Sequence, residues 1–194
     1  TYDEITGLLL TIMFAGHHTS GVTFSWTGIL LAQHPHWLAQ LREEQDAVLG
    51  GRNNLTLDDL RAMPKLDWTI KEVLRLYPPI IVLMRKVLES FTFDGYEVPA
   101  GCTIFASPAV SQRMPEVFRN PHRFEPERFG PDRAEDKKHP MGWIAFGAGR
   151  HRCMGITFAQ LQLRALFSHL LRNFDFELVE KHYESGDQQM QSLL

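Results

Sequence analysis

Apolar and polar residues repeat along the chain with the spacing of helices and short strands. The longest apolar stretch, residues 5–33, contains no Asp, Glu, Lys or Arg. It is long enough to span a bilayer, since about 20 apolar residues suffice. The polar cluster Gly16-His-His-Thr-Ser-Gly21 lies in its middle, however, where a lipid-facing helix would tolerate it poorly. The pattern therefore predicts a helix buried in the centre of a large protein.

Four further helices are predicted downstream. One runs from about Pro35 to Leu49 and is closed by two glycines. A short helix is capped by Thr56-Leu-Asp-Asp59 and ended by Pro64, and the next covers about residues 66–76, before Pro78 and Pro79 exclude helix. The last helix begins near Cys153. Its apolar residues at helical spacing are Ala159, Leu163, Leu166, Phe167, Leu170 and Phe174.

The middle of the chain has the pattern of short strands. Residues 80–84 form an apolar run typical of a core strand, and residues 91–98 alternate around Asp-Gly, which indicates a hairpin. Another strand is predicted over residues 102–106. Residues 121–138, rich in Pro, Arg and acidic side chains, are expected to form an irregular, solvated connection. The predicted fold class is mainly α with small β-sheets.

Composition restricts the class of protein. A chain of 194 residues with 44% hydrophobic residues can form one sizeable core, and a net charge of −3 gives no reason to expect nucleic acid as a partner. Cys102 and Cys153 are the only cysteines, so no disulfide framework is expected and a reducing compartment is favoured. Cys102, in a predicted strand, is expected to be an inert, buried thiol.

The chemistry of Cys153 depends on its surroundings in the sequence. An apolar run, Trp143 to Phe146, is expected to be extended, and Gly147 and Gly149 then permit a tight loop. At a helix N-terminus, preceded by Arg150-His-Arg152, Cys153 is placed to be a thiolate. Such a thiolate suits haem iron. Two alternatives are a dinucleotide-binding loop, although Arg152 stands where the third glycine belongs, and an ordinary buried cysteine beside a basic patch.

Two polar motifs elsewhere have both a functional and an ordinary interpretation. Gly16 would let a flat partner approach the first helix, and Thr19 could bond its own helix, open a bulge and hold water. Alternatively, Thr19 only bonds the helix and His17 and His18 are satisfied core groups; adjacent histidines chelate zinc poorly. Glu72-x-x-Arg75 lies opposite the apolar face of its helix, and composition alone predicts a surface ion pair.

Together these motifs resemble one family. Phe146-Gly147-x-Gly149-x-His151-Arg152-Cys153-x-Gly155 resembles the haem-binding signature of the cytochrome P-450 superfamily. Glu72-x-x-Arg75 and Pro121-x-x-Phe-x-Pro-Glu-Arg-Phe129 stand where that family requires them. Gly-x-His-Thr-Ser, with His18 in place of the usual acidic residue, resembles the sterol 14α-demethylase branch. The resemblance implies that residues 1–194 are the C-terminal part of one cytochrome P-450 domain, from the central long helix through the haem-ligand loop and the helix after it.

The resemblance also implies roles for individual residues. Haem b (iron protoporphyrin IX) would be ligated through its iron by Cys153, and Thr19 and His18 would deliver protons as catalytic residues. Glu72, Arg75 and Arg128 would form a buried structural network. The residues expected to contact the haem are His151 and Arg85, as propionate partners, with Phe146, Gly147, Gly155 and Gly16. The residues expected to line the substrate cavity are Ala15, Ile80, Ile81, Val82, Leu83 and Met84.

The implied activity is that of a haem-thiolate monooxygenase. Its partners would be a sterol or similar apolar molecule, O2, and an electron donor such as a ferredoxin or reductase, with no nucleic acid. The protein would be cytoplasmic if bacterial and membrane-associated if an N-terminal anchor precedes this chain. The piece alone is expected to expose apolar surface and to be inactive, and a last cavity-lining turn is expected near Met190. Alternatives are a monooxygenase for another lipid or terpenoid and a non-catalytic haem-binding protein.

Overall fold

A computed structural model describes residues 1–178 of the chain, so the turn expected near Met190 lies outside the described residues. Within these residues there are six α-helices, in the order α1 Tyr2–Gln33, α2 Pro35–Leu49, α3 Leu57–Arg61, α4 Pro64–Leu76, α5 Pro108–Ser111 and α6 Ile156–Asn173. Three short 3-10 helices cover Pro126–Phe129, Glu135–Lys137 and Gly149–His151.

The strands form two small antiparallel sheets. Strand β1 (Leu83–Lys86) pairs with β4 (Thr103–Ala106), and β2 (Phe91–Phe93) pairs with β3 (Tyr96–Val98). The predicted hairpin is confirmed: Asp94 and Gly95 have φ angles of 49° and 80°, the left-handed conformations that a tight two-residue turn requires. The predicted class, mainly α with small β-sheets, is confirmed.

The core lies where α2, α4 and α6 pack on the end of α1. It is dominated by Leu31, Trp37, Ile70 and Phe167, none more than 1% exposed. The indole N–H of Trp37 donates to the hydroxyl of Thr69 at 2.8 Å, so the largest core side chain has its polar atom satisfied. This core holds α4 in place beneath the loop that contains Cys153.

Helix α1 is buried only near its C-terminal end. Its buried residues are Thr23, Thr27, Leu30 and Leu31, whereas Phe14 is 82% exposed. Among the described residues nothing packs on its first half, as expected for the piece alone. Burial of this helix in the centre of a larger protein stays a prediction. Within residues 1–178 none of the helices combines the length and hydropathy that a membrane-spanning helix requires.

Several local expectations are corrected. Cys102 is exposed, not buried, because β4 and its partner β1 form a two-stranded sheet with little packed against it. For the same reason residues 80–84 are not a core strand: Ile80, Ile81 and Met84 are 49%, 49% and 63% exposed.

The boundaries and faces of the later helices also differ from expectation. Pro64 begins α4, where its missing N–H costs nothing, and does not serve as the end of α3. Of the residues noted for their helical spacing, Leu163 and Phe167 in α6 are buried, whereas Leu166 and the C-cap residue Phe174 are 47% and 55% exposed. Residues 143–146 form a turn-containing segment and not a strand.

Candidate functional site

The loop that contains Cys153 is folded by its own backbone hydrogen bonds. The N–H of Gly147 donates to the carbonyl of Ile144 at 2.8 Å, and the N–H of Cys153 donates to the carbonyl of Phe146 at 2.9 Å. Gly147 has a φ of 72°, a conformation that favours glycine. Helix α6 begins at Ile156 with Gly155 as its N-cap, so Cys153 precedes the helix by one turn. The result is an exposed thiol on a tight loop.

The basic residues beside the thiol are exposed. Arg150, His151 and Arg152 all face solvent, and Gly149–His151 forms a single 3-10 turn. No side chain crowds the sulfur from Gly155, where a Cβ would lie 3.8 Å from the Sγ of Cys153. The loop therefore presents one sulfur ligand on an open, positively charged surface.

Thr19 bonds its own helix. Its hydroxyl donates to the carbonyl of Ala15 at 2.7 Å, and α1 is α-helical without interruption from Tyr2 to Gln33. The bulge expected at Thr19 is therefore wrong, because the back-bond forms without opening the helical ladder. His17 and His18 are exposed and not core groups. A Cβ on Gly16 would meet nothing within 4 Å, so this face of α1 is open to a flat partner.

Metal ligation by clustered side chains is not found in the described residues. Residues 1–178 contain no group of three or more His, Cys, Asp or Glu side chains placed to hold a metal ion. Thr19 and Arg85 bond backbone carbonyls of their own elements and, among the described residues, not Cys153; for Arg85 the acceptor is Met84, at 2.8 Å. The expected substrate-lining residues from 80 to 84 are exposed or half-buried.

Glu72, Arg75 and Arg128 form one buried ion-pair network. All three side chains are fully buried. Arg75 reaches Glu72 through two nitrogens, at 2.7 and 2.9 Å, and the Nε of Arg128 lies 3.0 Å from the same carboxylate. The surface ion pair that composition alone predicts is therefore wrong, because the segment containing Arg128 covers the polar side of α4.

A second carboxylate, Glu135, completes the charge balance. It accepts from Arg128 at 2.6 Å and from Arg133 at 2.7 Å, and it is 2% exposed. Burial alone would raise the pKa of Glu135, but hydrogen bonds from Arg133 and Arg128 hold that pKa below its usual value. The buried side chains Glu72, Arg75, Arg128 and Glu135 thus carry two charges of each sign.

Sequence reasoning missed Glu135 and Gln112. Residues 121–138 are irregular as expected, but Pro126, Arg128, Phe129 and Glu135 within them are buried, so the expected solvated connection is wrong. The alternation of Arg and acidic residues there was the available signal. Gln112, fully buried between α4 and the Cys153 loop, belongs to no recognisable motif and so gave no signal.

Comparisons with known proteins agree with this geometry. The cytochrome P-450 family model matches residues 1–194. A sterol 14alpha-demethylase from Mycolicibacterium vanbaalenii is 46% identical over 93% of the chain and 40% of that protein. Obtusifoliol 14-alpha demethylase from Sorghum bicolor is 42% identical over 95% of the chain and 39% of its own length.

More distant matches extend the same pattern. Human lanosterol 14-alpha demethylase is 36% identical over 94% of the chain and 36% of its own length. Among solved structures, the retinoic-acid-bound cyanobacterial protein CYP120A1 has a TM-score of 0.84 and 32% identity, covering 89% of this chain and 40% of that one. The chain thus spans about 40% of the length of the curated relatives it matches. With the family model matched along its whole length, the chain belongs to the cytochrome P-450 family.

Proposed function

We propose that the chain is the haem-binding part of a sterol 14α-demethylase, within a single cytochrome P-450 domain. The whole enzyme would be a monooxygenase that removes the 14α-methyl group with O2 and electrons from a ferredoxin or a reductase. The observation that carries the proposal is similarity: relatives from a bacterium, a plant and human, at identities from 36% to 46%, are all 14α-demethylases by name.

Haem is the cofactor that membership of this family implies. The loop fits it, because Cys153 is a single exposed sulfur donor with no side chain crowding it from Gly155. Cys153 would ligate the iron, Arg85 and His151 would pair with the propionates, and Phe146, Gly147 and Gly16 would contact the ring. When bound, haem supplies the activation of O2.

Thr19 and His18 would bind water and transfer protons on the open face of α1. The hydroxyl hydrogen of Thr19 is committed to the carbonyl of Ala15, so its oxygen is left to accept a hydrogen bond from water. The imidazole of His18 is exposed, and an imidazole can both donate and accept a proton, so it could exchange protons with that water.

The substrate would be an apolar molecule of sterol size. Ile80, Ile81 and Met84 expose apolar side chains next to Val82 and Leu83, and Ala15 lies beside Gly16 on α1. Burial of these surfaces against a sterol would be favourable by roughly 25 cal/mol for each Å² of apolar area. The chain has no charged residue within residues 80–84 that such a ligand would have to desolvate.

The test uses a protein of full family length, made by joining this chain to the N-terminal portion of the Mycolicibacterium vanbaalenii relative. The reduced protein is expected to give the carbon monoxide difference band of thiolate-ligated haem, and Cys153→Ser should abolish it. Absence of the band, under conditions where the parental relative gives it, would refute the haem-thiolate assignment.

Substrate class is tested on the same protein. Lanosterol and obtusifoliol are expected to shift the spectrum of the oxidised haem, and retinoic acid is expected to leave it unchanged. Retinoic acid is the informative competitor because CYP120A1, a structural neighbour of this chain, is described as bound to it. A shift with retinoic acid and none with either sterol would favour a monooxygenase for another lipid over a sterol demethylase.

Substitution of the proposed proton-transfer residues distinguishes a monooxygenase from a non-catalytic haem-binding protein. Thr19→Ala and His18→Ala should leave haem binding intact but lower the ratio of product formed to O2 consumed. If neither substitution changes that ratio, the roles proposed for these two residues are wrong.

A further inference from the structure

Helix α4 ends in a way that leaves two of its carbonyls without helical partners. In a continuing helix, the carbonyls of Leu74 and Arg75 would accept from the N–H groups of residues 78 and 79. Both of those residues are proline and have no N–H. Leu74 and Arg75 are themselves buried, so the carbonyls need donors from elsewhere in the protein.

Gln112 supplies those donors. Its side-chain amide nitrogen lies 3.0 Å from the carbonyl oxygen of Leu74 and 3.3 Å from that of Arg75. Its backbone carbonyl accepts from the guanidinium of Arg75 at 2.9 Å, which ties the same residue to the buried ion-pair network. The side chain is fully buried, so water does not compete for these bonds.

The other polar atom of the Gln112 side chain faces the Cys153 loop. Its Oε1 accepts from the backbone N–H of Ile144 at 3.0 Å. Ile144 in turn accepts from Gly147, and Phe146 accepts from Cys153, both through backbone atoms. An amide side chain offers donors on one atom and an acceptor on the other, and Gln112 uses both on opposite sides.

We infer that Gln112 is a positioning residue, which sets the place of the Cys153 loop relative to α4. It links the end of α4 to the first turn of the loop through direct hydrogen bonds. Trp143 provides a second tie, because its indole N–H donates to the carbonyl of Lys71 at 3.2 Å. The inference rests on the proposed function in so far as the loop presents a haem ligand; the hydrogen bonds themselves do not depend on it.

The test is Gln112→Met, which keeps the length of the side chain and removes the three hydrogen bonds that the side chain makes. In the full-length protein, the N–H of Ile144 is expected to exchange with deuterium about tenfold faster than in the parent, as expected for one lost hydrogen bond. The thiolate-type carbon monoxide band should lose intensity to a band without thiolate ligation. The exchange measurement needs no haem chemistry, so its failure is distinct from failure of the proposed function.

The matched control is Gln45→Met. Gln45 is also buried, at 3% exposure, and its side-chain amide donates to the carbonyl of Ser168, away from the loop. This substitution should lower thermal stability without changing exchange at Ile144 or the haem band. If Gln112→Met behaves in the same way, Gln112 is an ordinary core residue and the inference is overturned.

A measurement on the parent protein guards against a variant that does not fold. The N–H of Ile144 should exchange far more slowly than the N–H of Met141, three residues earlier, which donates to the exposed side chain of His139. Equal exchange rates for the two amides would refute the tie between Gln112 and Ile144.

Discussion

Arg75 uses the whole of its guanidinium. Two nitrogens reach the carboxylate of Glu72, and the terminal nitrogens also donate to the carbonyls of Gln112, Pro121 and Arg123. A planar group with five N–H bonds in fixed directions can do this, whereas a lysine ammonium cannot. The charge of Arg75 is therefore only part of its role; its shape joins α4 to the segment that follows α5.

Arg75→Lys is expected to destabilise the protein severely, although the charge is kept. Several buried acceptors would lose their donors, and breaking a buried pair of this kind costs about 3–5 kcal/mol. Urea unfolding of the full-length protein would measure the loss. Arg61→Lys is the control, because Arg61 pairs with Asp58 on the surface, and it should change stability by less than about 0.5 kcal/mol. Similar effects for the two substitutions would contradict the importance of the guanidinium shape.

Asp59 combines a helix cap with an ion pair. Its carboxylate accepts from the guanidinium of Arg52 at 2.6 Å and from the hydroxyl and N–H of Thr56 at 2.7 and 2.9 Å. The hydrogen bond from Arg52, followed by those from Thr56, holds the pKa of Asp59 far below its usual value. The folded protein thus favours the charged form of Asp59.

The pH dependence of stability should reveal this carboxylate. Because the pKa is lower in the folded state, the contribution of Asp59 is present above the usual carboxyl pKa and is lost as pH falls toward the folded value. The difference in Tm between the parent protein and Asp59→Asn should be largest near neutral pH and shrink below about pH 4. A difference that does not vary with pH would contradict the lowered pKa.

At the scale of elements, those with local signals were predictable. Helix α2 has its proline near the start and Gly50 in the left-handed conformation at its end, and the hairpin has Asp94-Gly95. In these cases the residues that decide the backbone lie within the element. Burial was less predictable, because it depends on what packs from a distance: Glu72 and Arg75 are buried by a segment about 50 residues later.

In the candidate site, too, some features could be predicted from the sequence and others could not. The loop of Cys153 and the residues of the buried network could be located from their motifs, whereas the exposure of Cys102 could not. A strand that packs against a core and a strand in an exposed two-stranded sheet have similar sequences, so the sequence does not predict which side chains are buried. Gln112 was missed because its partners are backbone atoms of α4 and the loop, which leave no trace in the sequence.

The hairpin turn provides a test of an element. Gly95→Ala is expected to lower the free energy of unfolding by about 1 kcal/mol, because φ is 80° at this position. A Cβ there would meet no neighbouring atom, so backbone strain alone decides the effect. Gly28→Ala is the matched control, because Gly28 lies within helix α1 and a Cβ there would also meet no neighbouring atom. This substitution should raise the free energy of unfolding by up to about 1 kcal/mol. Denaturant unfolding would measure both changes in stability. If the two substitutions changed stability in the same direction, the importance of the left-handed conformation at Gly95 would be contradicted.

At the scale of the whole molecule, the chain exposes a large apolar surface on the first half of α1. Leu8, Leu10 and Met13 are 59%, 62% and 68% exposed, and Phe14 is 82% exposed. Contiguous apolar surface of this kind is typical of regions that pack against other parts of a protein or a partner. The chain covers about 40% of the length of its relatives.

The chain of 194 residues is expected to self-associate through this surface. Substituting Leu10 and Phe14 together by Glu should lower the weight-average mass in sedimentation experiments and reduce the binding of a hydrophobic dye. Substituting Leu57 and Leu88, which are exposed elsewhere at 46% and 83%, should have much less effect. Equal effects from the two pairs would show that association does not depend on α1.

The buried network also constrains the order in which the chain can fold. Every group that neutralises or caps Glu72 and Arg75, apart from the two residues themselves, lies C-terminal to α4, and Arg128 follows Glu72 by 56 residues. During synthesis, α4 therefore emerges with a polar face that cannot be desolvated until the segment around Arg128 has left the ribosome. Closing so long a loop is slow. The rate-limiting step in acquiring the native structure should then be the docking of residues 121–135 onto α4, and a nascent chain that ends before Arg128 should remain sensitive to protease.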